Sequence, residues 1–528
     1  MKKRSLRIVF ACLAILTLLA ACNKAKPAGG SGKNSGAPAE IVVEVFDRGV
    51  AGVDPTKNAW TDWIQKKLLE DENIKVTFYP VPRSDEIPAL NNLMAAGNPP
   101  DVAFTYSTEL INNFRDLGGL FNMYPYIDSL MPDLRDFLGP DPMLPGRNLI
   151  ERALDKSVNS MIYVPARRIF RGRYNVFMRK DWLDKLGLGL PQTTQEFYEA
   201  LKAFKEKDPG GVGKNNVIPY TSPKQIYLRM ANLLESFIDP NISDKDRWIG
   251  TVAERSFLLP GYKEGVRFLN KMYNEGLIDR DFPLYASETE CDNKTKSGIV
   301  GAFLGNYDGA YRGVNSILSD LQKNVPTAEI VPVDPFTNAN GIAAKYNYDA
   351  AGMFIFVPAS AKNPEAALRY LNWLAKFENR YFLQLGPEGV THELVDGIPK
   401  GISTQGEWQM ASPQNVDYNI ITNGLELETP ERTAQANAMS YFVDPQLIIT
   451  ADAIANRNAK PLPVVPVILT AAGPYTRTLQ DKGDVLMAEA VTGPVANFDR
   501  AWDAGIADWL ASGAQIIKDE RAAKYIAP

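Results

Sequence analysis

The sequence predicts an α/β protein divided into at least two domains, and three observations carry that expectation. Short β-branched runs alternate with stretches of helical apolar period, the pattern of parallel-sheet architecture. The chain has 528 residues, well past the length at which single cores stop growing. Apolar content of 45% and charged content of 23% are ordinary for a globular protein.

The first element is a leader. Lys2, Lys3, Arg4 and Arg7 precede an apolar run from Ile8 to Ala21. A membrane-spanning helix needs about 20 apolar residues, so this run is short for a span and fits the core of an export signal. Leu19-Ala20-Ala21-Cys22 resembles the bacterial lipobox, in which the cysteine is acylated and becomes the new N-terminus. Residues 1–21 are then a lipoprotein signal peptide, with an ordinary secretory signal as the alternative. Asn23 to Pro38 is rich in Gly, Ser, Lys, Ala and Pro. Such a stretch cannot bury enough apolar surface to offset the entropy of ordering. Residues 22–39 are read as a lipidated, disordered tether, and stable anchoring by more than one acyl chain is what diacylglycerol and palmitate on Cys22 would supply.

The globular part begins with Ile41 to Phe46, a β-branched run broken by Asp47-Arg48-Gly49. Trp60, Trp63, Ile64 and Leu68 then share one helical face. Ile74 to Pro82 reads as a second strand, Ala89 to Ala96 as a helix, and Val102 to Tyr106 as a third strand that two prolines hold extended at its entry. Val176 to Arg179 is a strand entering a short helix that ends at Gly187. Thr193 with Glu196 forms a capping box for the helix striped by Phe197, Leu201 and Phe204. A glycine-flanked strand near Ile299 ends in an aromatic-polar turn at Tyr307. A buried strand after Ala350 leads to a helix with Asn363 as N-cap and Pro364 at its first position. Two amphipathic helices, parted at Gly513, close the chain.

Charge and single residues exclude several function classes. Removing the four leader cations takes the formal net charge from −5 to −9, against the basic surface that nucleic-acid binding needs. Beyond Cys22 only Cys291 remains, so no internal disulfide can form in the exported chain. The single histidine, His392, begins a zinc-protease-like HExxH run, but Asp396 stands where the second histidine belongs. There is no GxSxG elbow and no Walker A loop. His392 reads as a surface residue in a Gly-rich turn.

The lipobox with its tether, "MAAGNPPDV", "FMRKDWLDKLGLGLPQTTQEFYEALKAF", "GIVGAFLGN" and "SAKNPEAALRYLNWL" together resemble the family 1 extracellular solute-binding lipoproteins of ABC importers. The likeness is to their oligosaccharide-binding branch, which includes alginate-binding proteins and the LipO group. It implies the type II periplasmic-binding-protein fold, in which two α/β lobes joined by a hinge enclose a ligand cleft. On that pattern lobe one is 40–168 plus 349–385 and lobe two is 169–348 plus 386–528. It also implies a monomeric, non-enzymatic receptor without cofactors. Such a receptor is held by its lipid on the extracytoplasmic face of the cell membrane and delivers a carbohydrate to separate permease subunits. A peptide or other solute in the same fold, and a surface polysaccharide-degrading enzyme, stay open as alternatives.

Members of the branch can carry a calcium loop after the "AFKEKDP" helix. Here the stretch is "DPGGVGKNNVIP". Asp208 and Asn216 keep oxygen-bearing side chains, whereas Gly210, Val212 and Val217 do not. A hard cation wants six to eight oxygens, so no bound metal is expected.

Ligands of open α/β sheets lie beyond the carboxyl ends of the strands. With the lobe assignment, that rule selects Asp47, Arg48, Tyr106, Tyr307 and Asp308. Arg167, Arg171 and Tyr174 are added from the first crossing, and Trp248 and Trp408 from polar, glycine-flanked stretches. Aromatic rings stack on sugar faces, and Asp, Asn and Arg bind hydroxyls. "ARRIFRGR", Ala166 to Arg173, gathers four arginines in an acidic protein. One or two of them could meet a carboxylate on an acidic sugar; a solvated loop or interlobe ion pairs are the alternative.

Overall fold

The computed structural model describes residues 36–526, apart from positions 143, 145, 157, 286–287, 314–315, 403–405, 413–414, 441–442, 464, 466 and 468. The leader, Cys22 and the tether up to residue 35 lie outside the described residues.

Strand β1 (Ala39–Asp47) buries Ile41, Val43, Val45 and Phe46 and pairs in parallel with β2 (Ile74–Pro82). Between them runs the helix Ala59–Glu72. It starts at Asn58, whose side chain accepts from Trp60 and Thr61 N–H groups while the Thr61 hydroxyl accepts from Asn58 N–H. It stops at Asn73, in the left-handed region at φ 53°. Pro80 and Pro82 withhold ladder donors, which suits β2 to the sheet edge.

A parallel bridge from Val43 to Val102 joins β1 to β3 (Ala103–Thr105). The other strands that build the two main sheets are β4 (Val164–Arg168), β5 (Tyr174–Arg179), β6 (Ile218–Tyr220), β7 (Val300–Asn306), β8 (Ile330–Val333), β9 (Ala351–Phe356) and β10 (Thr422–Asn423). The first sheet runs β2-β1-β3-β9-β4-β10, with β9 antiparallel to both neighbours and β10 parallel to β4. The second runs β8-β5-β7-β6, with β5 antiparallel to β8 and β7 and β6 parallel to β7. This is a two-lobed α/β fold.

Each sheet carries its own core. Val43, Phe104, Ile355 and Trp373 pack together around the first. Val176, Trp182, Phe204, Leu304, Trp502 and Trp509 pack on one face of the second, and Phe177, Tyr311 and Ala451 on its other face. Tyr418, Ile420 and Ile421 join the first core, although the expected boundaries put everything after 385 with the second. The cause is β10, two residues long, which pairs Thr422 with Arg167 and Asn423 with Arg168. So short a strand leaves no period-2 pattern to read.

Local expectations are met with small shifts. Thr193 caps its helix through Glu196 N–H, but Glu196 reaches back to Gln192 N–H rather than Thr193, one residue beyond the reciprocal box. Asn363 does not cap with its side chain; its Nδ2 donates to the Glu40 carbonyl instead. At Gly513 (φ 123°) a π-type turn links the last two helices, and a Cβ there would lie 2.4 Å from the Tyr475 ring. His392 is buried rather than on the surface, packed edge-on against Tyr381 with Nδ1 3.2 Å from the Leu385 carbonyl. That burial lowers its pKa.

Two buried charges hold the first lobe. Arg152 donates from Nε and Nη2 to Asp141 (2.5 and 2.6 Å) and from Nη1 to Asp349 (2.8 and 2.7 Å). Removing Arg152 strands the fully buried Asp141 in low dielectric. Arg152→Ala is therefore expected to lower unfolding free energy by about 3–5 kcal/mol, read from the urea midpoint.

Glu44, fully buried in β1, accepts Phe104 N–H at 2.9 Å, while its Oε1 has no partner. Burial raises its pKa well above the usual carboxylate value, and the neighbouring Glu86 adds to the shift. A raised folded value means the fold binds this proton more readily than the unfolded chain does. The stabilisation is complete below about pH 4.3, the unfolded value, and is lost as pH rises through the folded one. Glu44→Gln lacks that loss, so its Tm relative to wild type should climb between about pH 4 and pH 8. A constant difference across that range would contradict this.

Candidate functional site

Three chain segments cross between the sheets, and a set of backbone hydrogen bonds joins them. Residues 169–173 link β4 to β5, residues 334–350 link β8 to β9, and the third crossing begins after Asn423. Arg167 N–H donates to Ile421 O (2.8 Å), Arg168 N–H to Ala350 O (2.8 Å), Ile169 N–H to Asn423 O (3.2 Å) and Tyr348 N–H to Arg171 O (2.8 Å). Gly424 adopts φ +118°, and a Cβ there would lie 3.2 Å from Phe170 and 3.3 Å from Ile169. Glycine is what lets the third crossing lie this close against the first.

At this junction the side chains form an aromatic and cationic wall. Tyr348 is packed edge-on against Tyr174, with centroids 6.2 Å apart, and its hydroxyl donates to Asn306 Oδ1 at the end of β7 (3.1 Å). The Arg168 guanidinium lies 4.4 Å from the Tyr348 ring centroid. Arg173 lies 5.4 Å from the same ring and 4.7 Å from that of Tyr174. Burial and the neighbouring Tyr174 push the Tyr348 phenol up to about 12, so it stays a hydrogen-bond donor at neutral pH.

On the first-lobe side, Tyr106 stacks on Phe46 (6.5 Å, 17°), and Asn423 Nδ2 donates to its hydroxyl at 3.2 Å. Arg83 covers both rings, 4.9 Å from Phe46 and 5.0 Å from Tyr106. Behind them Glu86 accepts from the Thr105 hydroxyl, from Tyr106 N–H (3.0 Å) and from Arg83 Nη1 (2.7 Å). The carboxylate thus fixes where Tyr106 leaves its strand.

The structure brings together only part of the residue set expected from sequence. Tyr106 and Tyr174 belong to the junction. Arg171 touches it through Nε to the Tyr348 carbonyl (3.3 Å). Arg167 faces the other way, its Nη1 on Phe137 O (2.9 Å), because successive strand residues alternate faces. Its neighbour Arg168 is the one on the wall. Arg48 is held bidentately by Asp417 (2.7 and 2.8 Å), and the exposed Asp47 accepts Gly49 N–H. Tyr307 is buried and stacked on Phe170, and Asp308 is fully buried with Arg312 as its ion-pair partner.

The two tryptophans sit elsewhere. Trp248 lies on a helix, Asp244–Gly250, capped by Ser243, and packs against Tyr525 and Arg521. The Ser-x-x-Asp cap was the signal that this stretch is helical. Trp408 meets Trp60 edge-on at 4.9 Å against the first core. Sequence reasoning missed Arg83, Glu86, Asn306, Asp417 and Asn423, none of which has a local motif.

The loop after the helix Thr194–Lys207 is closed from within. Asp208 Oδ1 accepts Val212 N–H (3.0 Å) and Oδ2 accepts Gly213 N–H (2.8 Å). Asn216 turns its Nδ2 to Val212 O (2.9 Å), and Gly210 packs directly on the Trp182 ring. Among the described residues no group of three or more His, Cys, Asp or Glu could hold a metal ion. No helix among them is long and apolar enough to cross a membrane.

Comparison with known proteins gives a consistent result. Residues 54–380 match the family model described as bacterial extracellular solute-binding protein. Lipoprotein LipO of Bacillus subtilis (strain 168) is 28% identical over 342 residues, 62% of this chain and 63% of that protein. The polygalacturonan/rhamnogalacturonan-binding protein YtcQ of the same strain is 25% identical over 254 residues, 48% of this chain and 47% of its own. The match thus spans less than two thirds of each relative's length. A solved HMO-binding, ABC-transporter-associated solute-binding protein from Bifidobacterium longum infantis ATCC 15697 shares the fold. It has a TM-score of 0.64 and 19% identity, over 92% of this chain and 98% of that one. With its family match covering more than half its length and two sheets joined by three crossings, the chain belongs to the bacterial extracellular solute-binding proteins.

Proposed function

We propose that this protein captures an oligosaccharide between its lobes and hands it unchanged to the permease subunits of an ABC importer. The observation that carries the reading is the wall at the crossings, where Tyr106, Tyr174 and Tyr348 stand beside Asn306, Asn423 and two arginines. A sugar ring offers apolar C–H faces and a rim of hydroxyls, and it is met by aromatic faces with amide and guanidinium groups at their edges. The relatives' names support this choice: one binds polygalacturonan and rhamnogalacturonan, and a structural neighbour binds HMO.

On this reading the first lobe takes in about 40–168 and 349–423, so that the third crossing follows β10. Cys22 carries the lipid, and the monomeric body sits on the extracytoplasmic face of the membrane. On this reading the wall binds the sugar and leaves it chemically unchanged. The Arg48–Asp417 pair at its edge is closed on itself.

The Asp208 loop is proposed to work without calcium. Both carboxylate oxygens are already engaged by backbone N–H groups, which do the closing that a cation would otherwise do. Millimolar calcium is expected to leave Tm unchanged, whereas Asp208→Ala should cost about 1 kcal/mol in calcium-free buffer. A calcium-dependent rise in Tm that Asp208→Ala abolishes would refute the proposal.

Thermal-shift screening of the full chain against neutral and acidic oligosaccharides, with peptides as the control class, tests the function. A saccharide should raise Tm and compact the scattering profile, and Tyr106→Ala should weaken its binding about tenfold or more. Stabilisation by peptides alone would replace the carbohydrate reading, and release of shortened sugars would show an enzyme.

A further inference from the structure

Many half-buried arginines of this acidic chain have a carboxylate partner, whereas Arg167 and Arg521 turn to backbone carbonyls instead. Arg48 pairs with Asp417 (2.7 Å), Arg179 with Asp181 (2.7 Å), Arg247 with Glu235 (3.0 Å) and Arg380 with Glu426 (3.0 Å). Arg168 and Arg173 are two arginines that meet at a single ring, Tyr348, with no carboxylate between them. Among the described residues neither is in an ion pair, and each has a buried Nε without a hydrogen-bond partner. The Arg168 guanidinium donates no hydrogen bond to any described residue and lies over the Tyr348 ring. The acid that most favours its charge is Asp349, whose oxygens are committed to Arg152 and to Ala351 N–H. Arg173, close enough to disfavour that charge, has its own pKa raised by the Tyr174 and Tyr348 hydroxyls that it meets, and Glu235 is near enough to feel its charge.

We infer that Arg168 and Arg173 together receive a carboxylate carried by the ligand, so that the captured saccharide contains uronate residues. The inference rests on the carbohydrate reading above and names its substrate class. Two guanidiniums that approach one tyrosine ring repel each other, and a partly desolvated charge without a counter-ion is costly. One bound carboxylate removes both penalties, because the planar guanidinium fork matches it bidentately. Burial depresses the pKa of Arg168, as an uncompensated cation in this position requires. The pair stands where all three crossings meet, so a carboxylate held there touches residues of both lobes at once.

The test is calorimetric titration of the full chain with short oligomers of galacturonate, mannuronate and guluronate, with their methyl esters, and with neutral oligosaccharides of equal length. At least one acid oligomer should bind about 10–100-fold tighter than its ester, and the advantage should shrink as salt rises. Arg168→Gln and Arg173→Gln should each bring acid and ester to within a few-fold, with Arg168→Lys keeping part of the preference. If Arg168→Gln fails to fold, Arg173→Gln alone decides. Esters or neutral sugars binding as tightly as every acid, or a preference that survives both glutamine variants, would overturn the inference and leave the carbohydrate reading standing. Binding of no saccharide in any arm would remove both.

Discussion

Much of the architecture depends on four backbone hydrogen bonds at the end of β4. Through them Arg167, Arg168, Ile169 and Tyr348 tie the first crossing to the start of β9 and to β10. A polypeptide that passes three times between two separately packed cores needs its crossings to behave as one unit; otherwise each lobe would move on its own. Backbone pairing does this with directional bonds that side-chain rearrangement does not break. Opening and closing can then be absorbed by torsions at a few residues beside the ladder. Gly424 belongs to the same arrangement, because a side chain there would push the third crossing off the first.

Placing the wall at this junction has an electrostatic consequence. Arg152 shows a buried cation neutralised within a lobe, by two aspartates. Arg168 and Arg173 lean instead on the faces of Tyr174 and Tyr348. A cation–π contact stabilises a charge by about 0.5–2 kcal/mol without using up N–H donors, and the Nε of each arginine stays without a hydrogen-bond partner.

How much of this could be read from sequence follows from the range of the physics involved. Strands β1, β2, β3, β5, β7 and β9 were legible because period and capping are local: β1, β2 and the helix from Thr194 announce themselves within ten residues, whereas β4, β6, β8 and β10 carry no such signal. The tyrosines of the wall were half legible, Tyr106 through the strand-end rule and Tyr174 through its place at a crossing. Arg167 and Arg168 could not be told apart without the register that sets which face each takes. Asp417 lies 369 residues from Arg48, and β10 is a strand only because β4 is beside it. Trp248 misled because its glycine-flanked setting looked like a loop, when Ser243 had already started a helix.

The same logic explains why β1 tolerates a fully buried carboxylate. The parallel ladder between β1 and β3 is short: Val102 N–H donates to Val42 O and Glu44 N–H to Val102 O. Around it, carboxylates accept the neighbouring N–H groups. Asp101 takes Val42 N–H, Glu44 takes Phe104 N–H and Glu86 takes Tyr106 N–H. Leaving a buried backbone donor unpaired costs about 1–3 kcal/mol, so these side chains offset much of their own desolvation. They also let β3 end after three residues, which a full ladder would not allow. Ending there frees Tyr106 to turn out of the sheet toward Asn423 and the crossings. The buried acids of the first lobe are therefore part of how its side of the tyrosine and arginine wall is built.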